Sequence, residues 1–179
     1  MNDSLTAGHW ISLPSPSVGE SFTPEQLPEN PRVELRAFHF LYGDCPCSRR
    51  VLDEVIERQP VNGVIERIVV IGDQKTDVQM AEASGFEVDR CAPLEADAKY
   101  GVSAAPLLVV TLGDGTILYS GGYTSRKQGP DNQDVRILSS LSRGEEVENL
   151  PVYGCAVSED LKQLVDPFRL KYSSWSGRR

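Results

Sequence analysis

The chain has 179 residues, with 26 Asp and Glu against 18 Lys and Arg, and so carries a net charge of −8. This excess of acid argues against nucleic acid as a partner, because affinity for a polyphosphate backbone comes from Lys and Arg displacing counterions. A content of 40% hydrophobic and 25% charged residues is that of one ordinary globular domain, and no apolar run approaches the length of a membrane span.

Residues 1–16 lack both a basic start and a continuous apolar stretch, so a cytoplasmic location is expected; an export signal or anchor missing from this chain would make it periplasmic. Residues 1–31 contain Pro14, Pro16, Pro24, Pro28 and Pro31, and are expected to form an extension that wraps as loop or stays mobile. The folded unit is expected over residues 32–144, followed by a C-terminal segment, 145–179, that docks on it and ends in a mobile tail.

Residues 33–42, V-E-L-R-A-F-H-F-L-Y, become continuously apolar except for His39 and read as a central strand buried on both faces. Gly43 and Asp44 end it. Val51, Leu52, Val55 and Ile56 then follow the i, i+3, i+4 spacing of an amphipathic helix over residues 48–57. A second apolar strand over residues 64–71 is closed by Gly72-Asp73, and residues 77–84 read as a helix stopped by Gly85. After an extended piece around residues 86–88 comes a helix over 94–100, terminated by Gly101. The apolar runs 107–112 and 116–120 flank Gly113-Asp114-Gly115, a strong hairpin signal. A last helix over 135–141 has Asp131 or Asn132 as its expected cap and Gly144 as its stop. Strand-helix alternation of this kind predicts an α/β fold, with a central mixed sheet flanked by helices and with N- and C-terminal extensions.

Four cysteines, Cys45, Cys47, Cys91 and Cys155, are too few for a disulfide scaffold in a chain of this length. Cys45 and Cys47 stand at a strand-to-helix turn, in the segment Cys-Pro-Cys-Ser. A thiol is a good nucleophile only as thiolate, and unpaired amides at a helix start favour that form, so Cys45 is expected to be ionised and reachable, with a buried structural thiol as the competing reading. Cys47 is close enough for a Cys-x-Cys bridge, strained and easily reduced, or is simply a small residue at the helix start. Cys91, before Pro93, reads as packing. Gly121 and Gly122 read as permitting a tight bend, not as ligand contacts. Nothing in the sequence calls for an organic cofactor.

Tyr100-Gly-Val-Ser-Ala-Ala-Pro106, running into a strand and hairpin, resembles the thioredoxin superfamily. That resemblance implies a thioredoxin-like fold in which Pro106 is cis, lies against the cysteines and, with Ala105 and Pro46, shapes a substrate groove. It makes Cys45 the attacking sulfur and puts Ser48 where the usual resolving cysteine stands. Ser48 cannot close a disulfide, so resolution falls to Cys47, another cysteine or an external thiol. His39 takes the place of a buried acid that accepts a proton, a role imidazole can fill near neutral pH; a hydrogen-bonded core histidine is the competing reading. Tyr119-Ser-Gly-Gly-Tyr-Thr124, Asp131-Asn132 and Pro151-Val-Tyr-Gly-Cys155 narrow the resemblance to RedB-type thiol-disulfide isomerase-like proteins over residues 35–156. This chain carries Lys127-Gln128 where that pattern has a histidine. The resemblance makes Cys155 a candidate third redox thiol, with a half-buried cysteine in a docking loop as the competing reading, and implies protein or small-molecule thiols and disulfides as partners.

The function expected is thiol–disulfide oxidoreductase or isomerase. Two alternatives compete. One is a copper-binding module using Cys45 and Cys47 with His39 or Cys155, since thiolates suit Cu(I). The other is a thiol peroxidase, weakened by Tyr42 standing where a Thr or Ser is usual, three residues before the attacking cysteine.

Overall fold

The computed structural model describes residues 12–22, 35–127 and 131–172. The expected boundary at Arg32, the first residues of the expected strand at 33 and 34, most of the N-terminal extension and the end of the C-terminal tail lie outside the described residues.

The central strand is β1 (Leu35–Tyr42), buried at every position. It pairs in parallel with β2 (Val64–Ile71), and β2 pairs in parallel with β3 (Glu87–Cys91). On its other side β1 pairs antiparallel with β5 (Leu107–Thr111), which continues through the Gly113-Asp114-Gly115 turn into β6 (Ile117–Gly121). The sheet order is therefore β3-β2-β1-β5-β6. Parallel neighbours require a crossover, and these are α1 (Pro46–Glu57) and α2 (Lys75–Ala83). The chain then passes through α3 (Pro93–Tyr100), ended by Gly101 at a left-handed φ of 64°, to a two-residue strand, β4 (Ala104–Ala105), ahead of β5. After the hairpin comes α4 (Asp134–Ser142).

Alternation along β1 sorts its side chains onto two cores. Phe38, Phe40 and Tyr42 join Val109, Tyr100, Cys45 and Cys155 on one face, while Ala37 and Leu41 meet Val51, Val55, Ile137 and Leu138 of α1 and α4 on the other. Leu13 and Phe22, from the segment before β1, belong to the first core, and Phe22 lies 5.2 Å from the Phe38 ring. This is a thioredoxin-like α/β fold with a mixed sheet flanked by helices.

Several boundaries differ from expectation. Helix α1 begins at Pro46, not at residue 48, because proline pre-sets the helical φ and has no amide to lose in the first turn. The extended piece expected around residues 86–88 is a full edge strand. Its Glu87, Asp89 and Arg90 conceal it from hydrophobic pattern, yet Glu87 and Asp89 pair with Arg67 of β2 at 2.6 and 3.0 Å. The cap of α4 is Gln133, not Asp131 or Asn132, although the Asn132 side chain still accepts the Asp134 amide at 3.0 Å. Three elements have no counterpart in the sequence reading: β4, β7 (Cys155–Ala156) and α5 (Glu159–Val165). Two-residue strands carry too little pattern to be read, and they exist only because β4 and β7 pair with each other.

Candidate redox site

The antiparallel pair β4-β7 builds the site. It sets Cys155 opposite Ala105, and Cys45 approaches the same point from the head of α1, its Sγ 3.9 Å from the Ala105 carbonyl oxygen. The peptide between Ala105 and Pro106 is cis. Gly154 makes this closeness achievable, since a Cβ there would stand 2.0 Å from the Ala105 oxygen and 2.6 Å from Pro106 Cδ. Gly122 serves the same end, its missing Cβ leaving room for the Pro151 carbonyl. These glycines answer to backbone packing.

Cys45 is the N-cap of α1, with an extended backbone and its amide bonded to the Tyr42 carbonyl at 2.8 Å. Its sulfur is not the exposed thiolate expected. The side chain is 0% exposed, and its pKa is pushed up to about 11. The main cause is its hydrogen bond to Cys155; a bond to Cys47 acts in the opposite sense, and burial adds to the rise. Cys155 shifts the other way. Its hydrogen bond from Cys45 holds its pKa below the ordinary thiol value against the cost of burial, and the charge of Lys171 helps. The two shifts run in opposite directions, so of the pair Cys155 is the sulfur that ionises more readily. Coverage by the segment that brings in β7 is what a reading of the helix start alone misses.

Cys47 is the partly exposed sulfur of the three. It lines a shallow cleft together with Pro106, Tyr123, Thr124 and Tyr153. Of the expected groove residues, Pro106 lines this cleft, whereas Ala105 is fully buried behind it and Pro46 is exposed outside it. Cys91 ends β3, where burial pushes its thiol up to about 11. The Ser48 hydroxyl is buried and has no hydrogen-bond partner among the described residues.

His39 projects from the face of β1 opposite Phe38, Phe40 and Tyr42, and so away from the core that holds Cys45. It is fully buried, with Nε2 2.9 Å from Glu66 Oε2 and Nδ1 3.0 Å from the Tyr123 hydroxyl. Glu66 also binds Arg58 at 2.6 Å and the Val61 amide, and Arg58 continues to Asp134 at 2.6 Å. Burial alone would raise the Glu66 pKa, but the bonds from His39 and Arg58 outweigh it and hold the carboxyl at about 2. An ionised Glu66 only accepts, so Nε2 of His39 carries the hydrogen of that bond. His39 is thus a tied member of a buried polar network. Among the described residues no group of three or more His, Cys, Asp or Glu side chains is disposed to hold a metal ion.

Sequence reasoning missed Gly154, Glu66, Tyr123 and Lys171. Tyr123 and Gly154 lie within the quoted motifs, 119–124 and 151–155, but neither was given a role there.

No protein-family model and no curated protein sequence matches this chain. Among solved structures it is similar to an uncharacterised conserved protein from Geobacillus kaustophilus, at 18% identity and a TM-score of 0.62, over 83% of this chain and 97% of that one. It is also similar to a hypothetical protein from Sinorhizobium meliloti, at 16% identity and a TM-score of 0.66, over 82% of this chain and 97% of that one. A thioredoxin domain of a thiol-disulfide oxidoreductase from Bacteroides vulgatus aligns at 14% identity with a TM-score of 0.47, over 73% of this chain and 99% of that one. At these identities the first two likenesses show the fold alone. Among the described residues no helix is long and apolar enough to cross a membrane.

Proposed function

We propose that this chain is a thiol–disulfide oxidoreductase in which Cys45 and Cys155 are the electron-storing pair and Cys47 is the outer thiol. One observation carries the reading: Cys45 and Cys155 meet at Ala105, the Cys45 Sγ lying 3.9 Å from the carbonyl oxygen of the residue that pairs with Cys155, while only Cys47 reaches the cleft beside Pro106. Cys45 remains the central nucleophile, working one step inside the surface. The resemblance to RedB-type proteins points to the same chemistry, including disulfide isomerisation.

The exchange balances without any further reagent. The Cys47 thiolate attacks a substrate disulfide, forming a mixed disulfide and releasing the first substrate thiolate. Cys45 passes its proton to the Cys155 sulfur and attacks the Cys47 sulfur, releasing the second substrate thiolate, which takes that proton. Re-ionised Cys155 then attacks Cys45 and restores Cys47 as thiolate. The substrate disulfide gains two electrons and becomes one thiolate and one thiol, and the Cys45–Cys155 pair, which held one proton, becomes a disulfide. Each step is thiolate attack on a neighbouring sulfur, whose rate follows thiolate fraction, nucleophilicity and access.

Replacing Cys45 by Ser is expected to reduce turnover of a small reporter disulfide to the uncatalysed rate. Peptide mapping after mild oxidation of the native chain should recover Cys45 joined to Cys155, with Cys47 free. Undiminished turnover in C45S, or a bridge that excludes Cys45, would end this reading.

A further inference from the structure

The C-terminal turn after α5 ends against Cys155, and no step above gives it a task. Ser158 caps α5 by accepting the Leu161 amide at 3.3 Å. At the other end Asp166 gathers three successive amides, with Leu170 at 2.9 Å, Lys171 at 2.7 Å and Tyr172 at 3.0 Å. Closing that turn forces Arg169 to a left-handed φ of 52°, which a non-glycine residue adopts seldom and only when its surroundings hold it there. The product is a fixed placement of two side chains. Tyr172 packs on the core that contains Cys155, and its hydroxyl accepts the amide of the adjoining Ala156 at 3.0 Å. The Lys171 ammonium lies 4.9 Å from the centre of the Tyr172 ring, and its charge lowers the Cys155 pKa.

We propose that Lys171, held by the Asp166 turn, is the cation that keeps Cys155 ionised at the moment it resolves the disulfide on Cys45. This rests on the oxidoreductase reading above and deepens it. The groups facing Cys155 are Cys45 and Cys47 from α1, Tyr42 from β1, and Lys171 and Tyr172 from the turn. In the resting dithiol, Cys45 donates its S–H to Cys155 and supports the charge. Once the Cys45 sulfur is in a disulfide it has no hydrogen to give. Cys155 must then attack as thiolate while buried, and among the described residues facing it Lys171 is the cation. A buried anion stripped of its donor is strongly disfavoured unless a positive charge stays beside it.

Two measurements test this. In a C45A background, which removes the Cys45 donor, the Cβ chemical shift of labelled Cys155 should titrate at higher pH when K171Q is added and return toward the starting value with K171R. In the chain with all four cysteines, single-turnover release of Cys47 should slow about three- to tenfold near neutral pH in K171Q, the loss in thiolate fraction being partly offset by higher intrinsic nucleophilicity. The initial capture of substrate by Cys47 should keep its rate. D166A, which leaves the lysine in place but frees the turn, should reproduce the K171Q effect. An unchanged Cys155 titration in K171Q, or equal slowing in K171R, overturns the role of Lys171. The titration does not depend on turnover, so a chain that titrates as expected yet keeps full activity as C45S would refute the oxidoreductase reading and spare the electrostatic one.

Discussion

Replacing Glu66 by Ala is expected to destabilise the protein by about 3–5 kcal/mol, the range for removing one partner of a buried ion pair. Its carboxylate accepts from His39, Arg58 and the Val61 amide at once, and its side chain has no exposure. Without it, the Arg58 charge keeps Asp134 as its ion-pair partner, with the Gln59 carbonyl and the Phe86 ring, and His39 keeps the Tyr123 hydroxyl. Few neighbours can rearrange, because the network ties α1, β2 and α4 together across one core. E66Q retains the shape and should cost less, since an amide still accepts on one side while losing the ionic attraction to Arg58.

The same residue sets an acid limb to the stability curve. Its folded pKa of about 2 lies below the ordinary 4.5, so the unfolded chain binds the proton more tightly. Its contribution is fully present above the unfolded value and fades as pH falls through the folded one, a window from about 4.5 down to about 2. A shift of that size corresponds to about 3 kcal/mol. Urea midpoints measured at about pH 6 and about pH 3 should therefore converge between native protein and E66Q. A native-minus-E66Q difference that stays constant across that range would refute the assignment.

The second large effect is expected at Gly154. Changing it to Ala puts a methyl 2.0 Å from the Ala105 oxygen and 2.7 Å from the Ala105 carbonyl carbon. These are backbone atoms of a strand, so no rotamer change relieves the overlap, and either β4 or β7 must move. The cost expected is about 3 kcal/mol, at the upper end for overpacking a close-fitted site. The chemistry should suffer more than the stability, because parting β4 from β7 carries Cys155 away from Cys45. G154A is accordingly expected to fold in mild conditions yet give little Cys45–Cys155 bridge on oxidation, read by peptide mapping. A stable G154A protein that forms the bridge as readily as the native chain would show that the close backbone approach is dispensable.

Hydrophobic pattern and turn chemistry determined the frame by themselves. The apolar run ending at Tyr42, the i, i+3, i+4 stripe through Val51 and Val55, and the Gly-Asp-Gly hairpin turn are local signals, each legible within about ten residues. They were enough to set the cysteines at a helix start and Pro106 ahead of the strand that becomes β5. What the sulfurs do was decided elsewhere. Burial and ionisation depend on what covers a group, and Cys45 is covered by a chain segment more than a hundred residues further on. A helix start read alone predicts an open thiolate there; β7 closes it, makes Cys155 the sulfur that ionises more readily, and leaves Cys47 at the surface. His39 followed the same rule, since sequence gave its strand but only the pairing of β1 with β2 brought Glu66 within reach of its ring. Local signals set where the backbone goes, and long-range contacts set the electrostatics, because a pKa is fixed by neighbours in space and not by neighbours in the chain.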